Sequence, residues 1–141
     1  MEQKIQDYIS THKYAVDYDY PGGGSLDFFL DEKSARKNFD EGDFRMSRDY
    51  PRTPQGDFIE TYSLRVLDSC AEDELKNFID DFNECETDEE KKESYFDFFH
   101  TNARTIISKS SYWENGELLI KEYEGAIYAT RAFPKEQKVI L

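Results

Sequence analysis

The chain has 141 residues, a formal net charge of −13 and an aromatic share of 16%, with 11 Phe and 10 Tyr. So much aromatic surface excludes a disordered acidic tail and predicts one domain over residues 1–141, burying roughly two-thirds of its unfolded surface. The negative field disfavours direct binding to nucleic acid or anionic membrane, and no run approaches the roughly 18 apolar residues of a membrane span.

The first residues, MEQKIQDYISTHKY, lack the apolar stretch of a signal peptide. Residues 2–13 read as a short helix, with Ile5, Tyr8, Ile9 and His12 on one stripe. Alternation follows. Val16, Tyr18 and Tyr20 share one face, with Asp17 and Asp19 on the other. Pro21-Gly22-Gly23-Gly24 is a turn, and not a phosphate-binding loop, because no helix with Lys-Ser/Thr follows it. The next strand sets Leu26, Phe28 and Leu30 against Asp27, Phe29 and Asp31, which predicts a hairpin with an apolar inner face and a mainly acidic outer one.

Lys33–Phe39 reads as a helical turn or two, and 45–57 as loop, broken by Pro51, Pro54 and Gly56. Phe58–Leu67 alternates again, with Tyr62, Leu64 and Val66 inward and Thr61, Ser63 and Arg65 outward. Ser69 with Glu72 forms a capping-box pattern ahead of Leu75, Phe78, Ile79 and Phe82. Thr87 with Glu90 forms a second, opening a helix to about Ser110 whose stripe is Phe96, Phe99, Ala103, Ile106 and Ile107. Asn115-Gly116 is a strong two-residue hairpin turn between 112–114 and Glu117–Tyr123. Further strands are expected over Ala126–Phe133 and Val139–Leu141. The fold class is therefore α+β. An antiparallel sheet of about five to six strands carries two longer helices and the short N-terminal helix on one face.

Cys70 and Cys85 fall on one expected helix, roughly 22 Å apart, too far for a disulfide. Free thiols fit a reducing, cytoplasmic setting.

The charge is concentrated. Residues 71–100 hold twelve acids against Lys76, Lys91 and Lys92, which is −9 of the −13. Seven acids in 71–86 give roughly one charge per 3.4 Å of helix, near the phosphate spacing of one DNA strand. Glu72, Asp73, Glu74, Asp88, Glu89 and Glu90 have an ordinary explanation, since first-turn carboxylates are favoured by the helix dipole. The surplus is Asp80, Asp81, Glu84, Glu86, Glu93 and Asp97, with Asp17, Asp19, Asp27 and Asp31 on the hairpin. These are the candidate partner-binding residues, and the plain alternative is a solvated acidic surface.

Residues 33–52 are instead basic, at net +2. Arg45, Arg48 and Arg52 in this loop are set to clamp a phosphate or carboxylate, to tie down to the protein's own acids, or to meet the acidic helices of a second copy in a homodimer. Tyr112, Trp113, Tyr123 and Tyr128 either complete the core or form a rigid interface patch.

No catalytic constellation stands out. A nucleophile built from Cys70 or Cys85 with His100 has no selecting spacing, and the two Cys and two His match no zinc ligand pattern. Asp17-x-Asp19 facing Asp27 or Asp31 is the one divalent-cation pattern, and such pairs are usually just solvated. No cofactor and no metal are expected.

In type, small, acidic, aromatic-rich and without a catalytic constellation, the chain resembles bacterial immunity proteins and phage-borne inhibitors of defence nucleases. That likeness is one of class and rests on no motif. It implies a non-enzymatic inhibitor of immunity or anti-defence type, docking its carboxylates on a basic nucleic-acid-handling protein such as a nuclease, with nucleic-acid mimicry as the mechanism. The alternative is a small-molecule-binding or enzymatic α+β domain with a pocket between sheet and helices, using Arg65, Arg131 or the loop arginines.

Overall fold

The computed structural model describes residues 1–50, 52–53, 56–57, 59–126 and 138–141, without the side chains of 52, 53, 56, 57 and 138. Tyr128, Arg131, Phe58, the side chain of Arg52 and nearly all of the strand expected over Ala126–Phe133 lie outside the described residues. The elements run α1 (Gln3–Thr11), β1 (Tyr14–Tyr20), β2 (Gly23–Phe29), α2 (Glu32–Asp40), α3 (Arg45–Asp49), β3 (Arg52–Thr53) and β4 (Gly56–Asp57). Then follow β5 (Thr61–Val66), β6 (Ser69–Ala71), α4 (Glu72–Glu84), α5 (Asp88–Asn102), β7 (Arg104–Glu114), β8 (Glu117–Glu124) and β9 (Lys138–Ile140). The main sheet has the order β2-β1-β5-β7-β8, with every neighbouring pair antiparallel. β3 pairs with β4, and β6 with β9, as separate ladders. The fold is α+β, as composition and periodicity imply.

Two of the hairpin turns form for legible reasons. Tyr20 pairs with Gly23, so Pro21-Gly22 is a two-residue turn, and Gly22 takes φ 95° where a Cβ would be strained. At the other end, Asn115 and Gly116 both have positive φ, 51° and 79°, the pair of conformations a type I′ turn needs.

One face of the sheet carries the larger core. Ile5 and Ile9 of α1, Leu75, Phe78 and Phe82 of α4, and Tyr95, Phe98 and Phe99 of α5 pack with Ala15, Leu67 and Cys70. Tyr95 lies at its centre and donates its hydroxyl to the His12 carbonyl at 2.5 Å. The opposite face is also covered. Ala35 and Phe39 of α2 pack on Val16 and Leu64, with Tyr14, Phe29, Tyr62, Ile106 and Ile107 around them.

That second layer explains several departures from the sequence-based expectations. β1 and β2 pair in the register Val16↔Asp27 and Asp17↔Leu26, so the apolar set of each strand shares a face with the acidic set of the other. The hairpin has no acidic outer face, and Asp17 and Asp19 lie on the opposite side of the sheet from Asp27. Arg65, expected to point outward, is on the face beneath α5 and is only 8% exposed. The stretch expected to be loop holds α3 and the β3–β4 ladder.

The Ser69–Glu72 capping box does not form. Ser69–Ala71 is extended against β9, and Ala71 occupies the N-cap without a side-chain bond. Cys70 therefore sits on a strand and not on the helix with Cys85; both thiols are free. α5 stops at Asn102, not Ser110, and buries Tyr95, Phe98 and Phe99 while Phe96 is exposed. Past it the β-branched run Thr105-Ile106-Ile107 is strand, where branched side chains are at ease.

Candidate functional site

α4 and α5 are joined by the short link Cys85–Thr87 and pack as antiparallel neighbours. Thr87 caps α5, its hydroxyl oxygen accepting the Glu90 amide at 3.1 Å. Glu90 reaches back to the Glu86 amide at 3.3 Å, one residue short of the position a capping box takes. At the seam Phe78 and Phe98 stack, with ring centroids 4.4 Å apart and an interplanar angle of 8°.

Above this seam runs a groove of about 390 Å³. Glu74, Asn77, Phe78 and Asp81 form its α4 wall, and Glu90, Glu93, Ser94, Asp97, Phe98 and Thr101 its α5 wall. Five carboxylates thus meet over an aromatic floor, with no basic side chain among the described residues of the wall.

Of the surplus acids, Asp81, Glu93 and Asp97 are brought together here. Asp80 and Glu84 are exposed on α4 and Glu86 in the link, outside the groove wall. Glu74 and Glu90, which the helix dipole already explains, stand in the wall as well. The spacings 74-77-81 and 90-93-97 are those of one helix face, and that signal could have found them.

The hairpin acids do not join this group. Asp31 is the N-cap of α2, its carboxylate accepting the Ser34 amide at 2.7 Å; that bond holds its carboxyl below the usual range. Asp17 faces Arg65 at 3.5 Å and is half-buried, and burial raises its carboxyl despite the guanidinium. Asp19 and Asp27 are exposed on opposite faces of the sheet, so the suggested cation pattern does not assemble. The loop arginines pair locally, Arg45 with Asp49 at 3.6 Å and Arg48 with Asp43 at 3.4 Å. Arg45 and Arg48 do not converge as a clamp, and the side chain of Arg52 lies outside the described residues.

Three buried charged residues were not visible as such in the sequence. Arg65 donates to the carbonyls of His100 and Ala103 at 3.0 and 2.8 Å, and to His100 Nδ1 at 3.3 Å. A cation is favoured at that C-terminal end of α5 by the helix dipole. Lys109 donates to the Gly42 carbonyl at 3.0 Å inside a cage of Phe39, Phe44 and Tyr62, 4.8 to 5.6 Å from the ring centroids. Burial lowers its pKa. Glu60, 1% exposed, accepts from the Tyr18 hydroxyl and the Ser47 amide, while Ser47 and Ser111 share a hydroxyl bond of 2.7 Å. Each of these charges ties a helix to the sheet.

The thiols are poorly set up as nucleophiles. Burial pushes Cys70 up to about 11, and burial together with Glu90 and Asp81 raises Cys85. A thiolate needs the opposite surroundings. His100 Nδ1 is occupied by Arg65, which can only donate. Among the described residues no helix is long and apolar enough to cross a membrane, and no group of three or more His, Cys, Asp or Glu is gathered as a metal site.

Comparison with protein-family models, with curated proteins and with solved structures finds no match to this chain.

Proposed function

We propose that this protein works by binding and not by catalysis, docking the α4–α5 face on a basic protein that handles nucleic acid. The reading is that of a stoichiometric inhibitor of immunity or anti-defence type, whose carboxylates stand where the partner expects phosphates. One observation carries it. Five acids from two helices line a single groove with no basic side chain among the described residues of its wall. Like charges gathered this way repel one another and cost stability, so solubility alone, which scattered charge would supply, gives little reason for the arrangement.

Association with such a partner is steered by charge and weakens with salt. The test is capture by the immobilised protein at low and high salt, beside a variant carrying Asp80→Asn, Asp81→Asn, Glu84→Gln and Asp97→Asn. A basic nucleic-acid-handling protein retained only by the parent, only at low salt, and inhibited when bound supports the reading. Equal capture and inhibition by the variant overturns it.

A further inference from the structure

Phe96 interrupts an otherwise charged outer face of α5. It lies mid-helix, is 41% exposed, and its ring runs parallel to that of His100 one turn on, with centroids 6.2 Å apart. Single exposed apolar residues are ordinary on protein surfaces. Phe96 differs in its surroundings. Glu93 and Asp97 form a ridge with the α4–α5 groove on one side and a second hollow of about 340 Å³ on the other. Phe96 stands in the wall of that second hollow, beside Lys92.

Phe96 lies outside the buried core set of α5. The core side of α5 is Tyr95, Phe98, Phe99 and Asn102, and an exposed aromatic is a poorer helix former than Ala or Lys. The ring is nonetheless held in place. Its stacking partner His100 accepts from the buried Arg65, which fixes that end of the surface to the sheet.

We infer that Phe96 is the apolar anchor of the docking face, and that its occupant is a basic protein segment with an apolar position flanked by arginines or lysines. Phe96 fills the apolar position while the cations enter the two hollows against Glu93 and Asp97. Charge complementarity selects the occupant, because the shared ridge and the groove wall are acidic. The aromatic anchor separates this from phosphate mimicry alone, which needs no apolar contact. Anchors of this kind act mainly on dissociation, whereas surrounding charges act mainly on association. The inference rests on the docking reading above, and the test distinguishes their failures.

The probe is a synthetic amphipathic peptide of about 18 residues, with arginines and leucines on one face, long enough to form a helix when bound. Two controls replace its leucines by serine or its arginines by glutamate. Binding and its rates are followed by fluorescence anisotropy and stopped flow. The parent is expected to bind the Arg/Leu peptide best. Phe96→Ser is expected to weaken it roughly tenfold through faster dissociation, with association unchanged, while Phe96→Leu largely retains it. Phe96→Ser makes no difference to the Arg/Ser peptide. Thermal melts confirm that these variants at an exposed site stay folded. Unchanged affinity in Phe96→Ser, with binding still lost in Glu93→Gln/Asp97→Asn, overturns the anchor and leaves charge docking standing. If the parent ignores the Arg/Leu peptide or takes the Glu/Leu peptide equally well, both readings fall.

Discussion

Arg65 of β5 donates to the Ala103 carbonyl at 2.8 Å, so a buried cation of the sheet holds the end of the helix that carries the acidic groove. The same guanidinium reaches Asp17 and His100 and lies 5.7 Å over the Phe99 ring, and burial lowers its pKa. Its Nε finds no partner among the described residues. The arrangement links position 65, read from alternation as solvent-facing, to the placement of Asp97 and Thr101 in the groove wall.

Arg65→Met is therefore expected to destabilise the fold by about 3–5 kcal/mol, since it strands two helix-end carbonyls and the half-buried Asp17. Arg65→Lys recovers only part of this, because an ammonium cannot fork across both carbonyls and the carboxylate. Urea unfolding monitored by circular dichroism measures both. A cost below about 1 kcal/mol for Arg65→Met would show that the guanidinium is not holding α5.

Glu60 makes the matching prediction on the other face. Tyr18→Phe leaves the Ser47 contact and is expected to cost about 1 kcal/mol. Glu60→Gln costs more, about 1–3 kcal/mol, because both charge-assisted bonds are lost and the Tyr18 hydroxyl must turn from donating to accepting from the new amide. In the double variant the two losses are expected to be non-additive. Additive losses in a denaturation cycle would mean that the two residues do not share one network.

Sequence reasoning reached the elements more readily than their surroundings. The 3.6-residue stripe of α1, the Asn115-Gly116 turn and the apolar spacing of α4 are local signals, and the chain obeys them. The Ser69-x-x-Glu72 pattern is equally local, but β9 arrives from the far end of the chain and pairs with Ser69–Ala71. Ile106 and Ile107 continue a helical spacing from Phe99 and Ala103, yet their branched side chains favour the strand that pairs with β5. Arg65 and Lys109 are polar positions in alternating strands, and alternation cannot say that helices cover both faces of the sheet. In the groove, Asp81, Glu93 and Asp97 are positions that charge density singles out in the sequence. Glu74 and Glu90 have a sufficient local explanation in the helix dipole, which hides their second placement in the groove wall.

Alkali should unfold this protein through groups that resist ionisation when folded. Cys70 is pushed up to about 11 from 9.0, and burial raises Tyr95 and Tyr18 above 10.0, the hydrogen bond to Glu60 adding to the effect at Tyr18. A folded pKa above the unfolded one means stability is full below the unfolded value and is lost as pH rises towards the folded value. Cys70 alone is expected to remove about 2–3 kcal/mol between pH 9 and 11. Lys109, whose pKa burial lowers, has the opposite sign, its stability being present above 10.5 and lost as pH falls through its folded value. Stability curves of the parent and Cys70→Ala over pH 8–11 check this. The variant should be less stable overall and show a flatter decline. Parallel declines would mean Cys70 is not the titrating group.

The acids themselves should separate by role. Glu72 is a first-turn residue outside the groove wall, and Glu72→Gln is expected to cost about 0.5–1 kcal/mol of stability without affecting binding. The variant carrying Asp80→Asn, Asp81→Asn, Glu84→Gln and Asp97→Asn is expected to melt at or slightly above the parent's temperature, because like-charge repulsion is relieved. A large loss of stability in that variant would mean these carboxylates hold the fold together.

The most direct measurement is the association rate constant with the captured basic partner, parent against that quadruple variant, as salt rises through about 0.15 M, where screening acts over roughly 8 Å. The account predicts a fast parent rate that falls steeply with salt, and a slower, flatter rate for the variant. Equal rates with equal salt dependence, and equal inhibition of the partner, would contradict it.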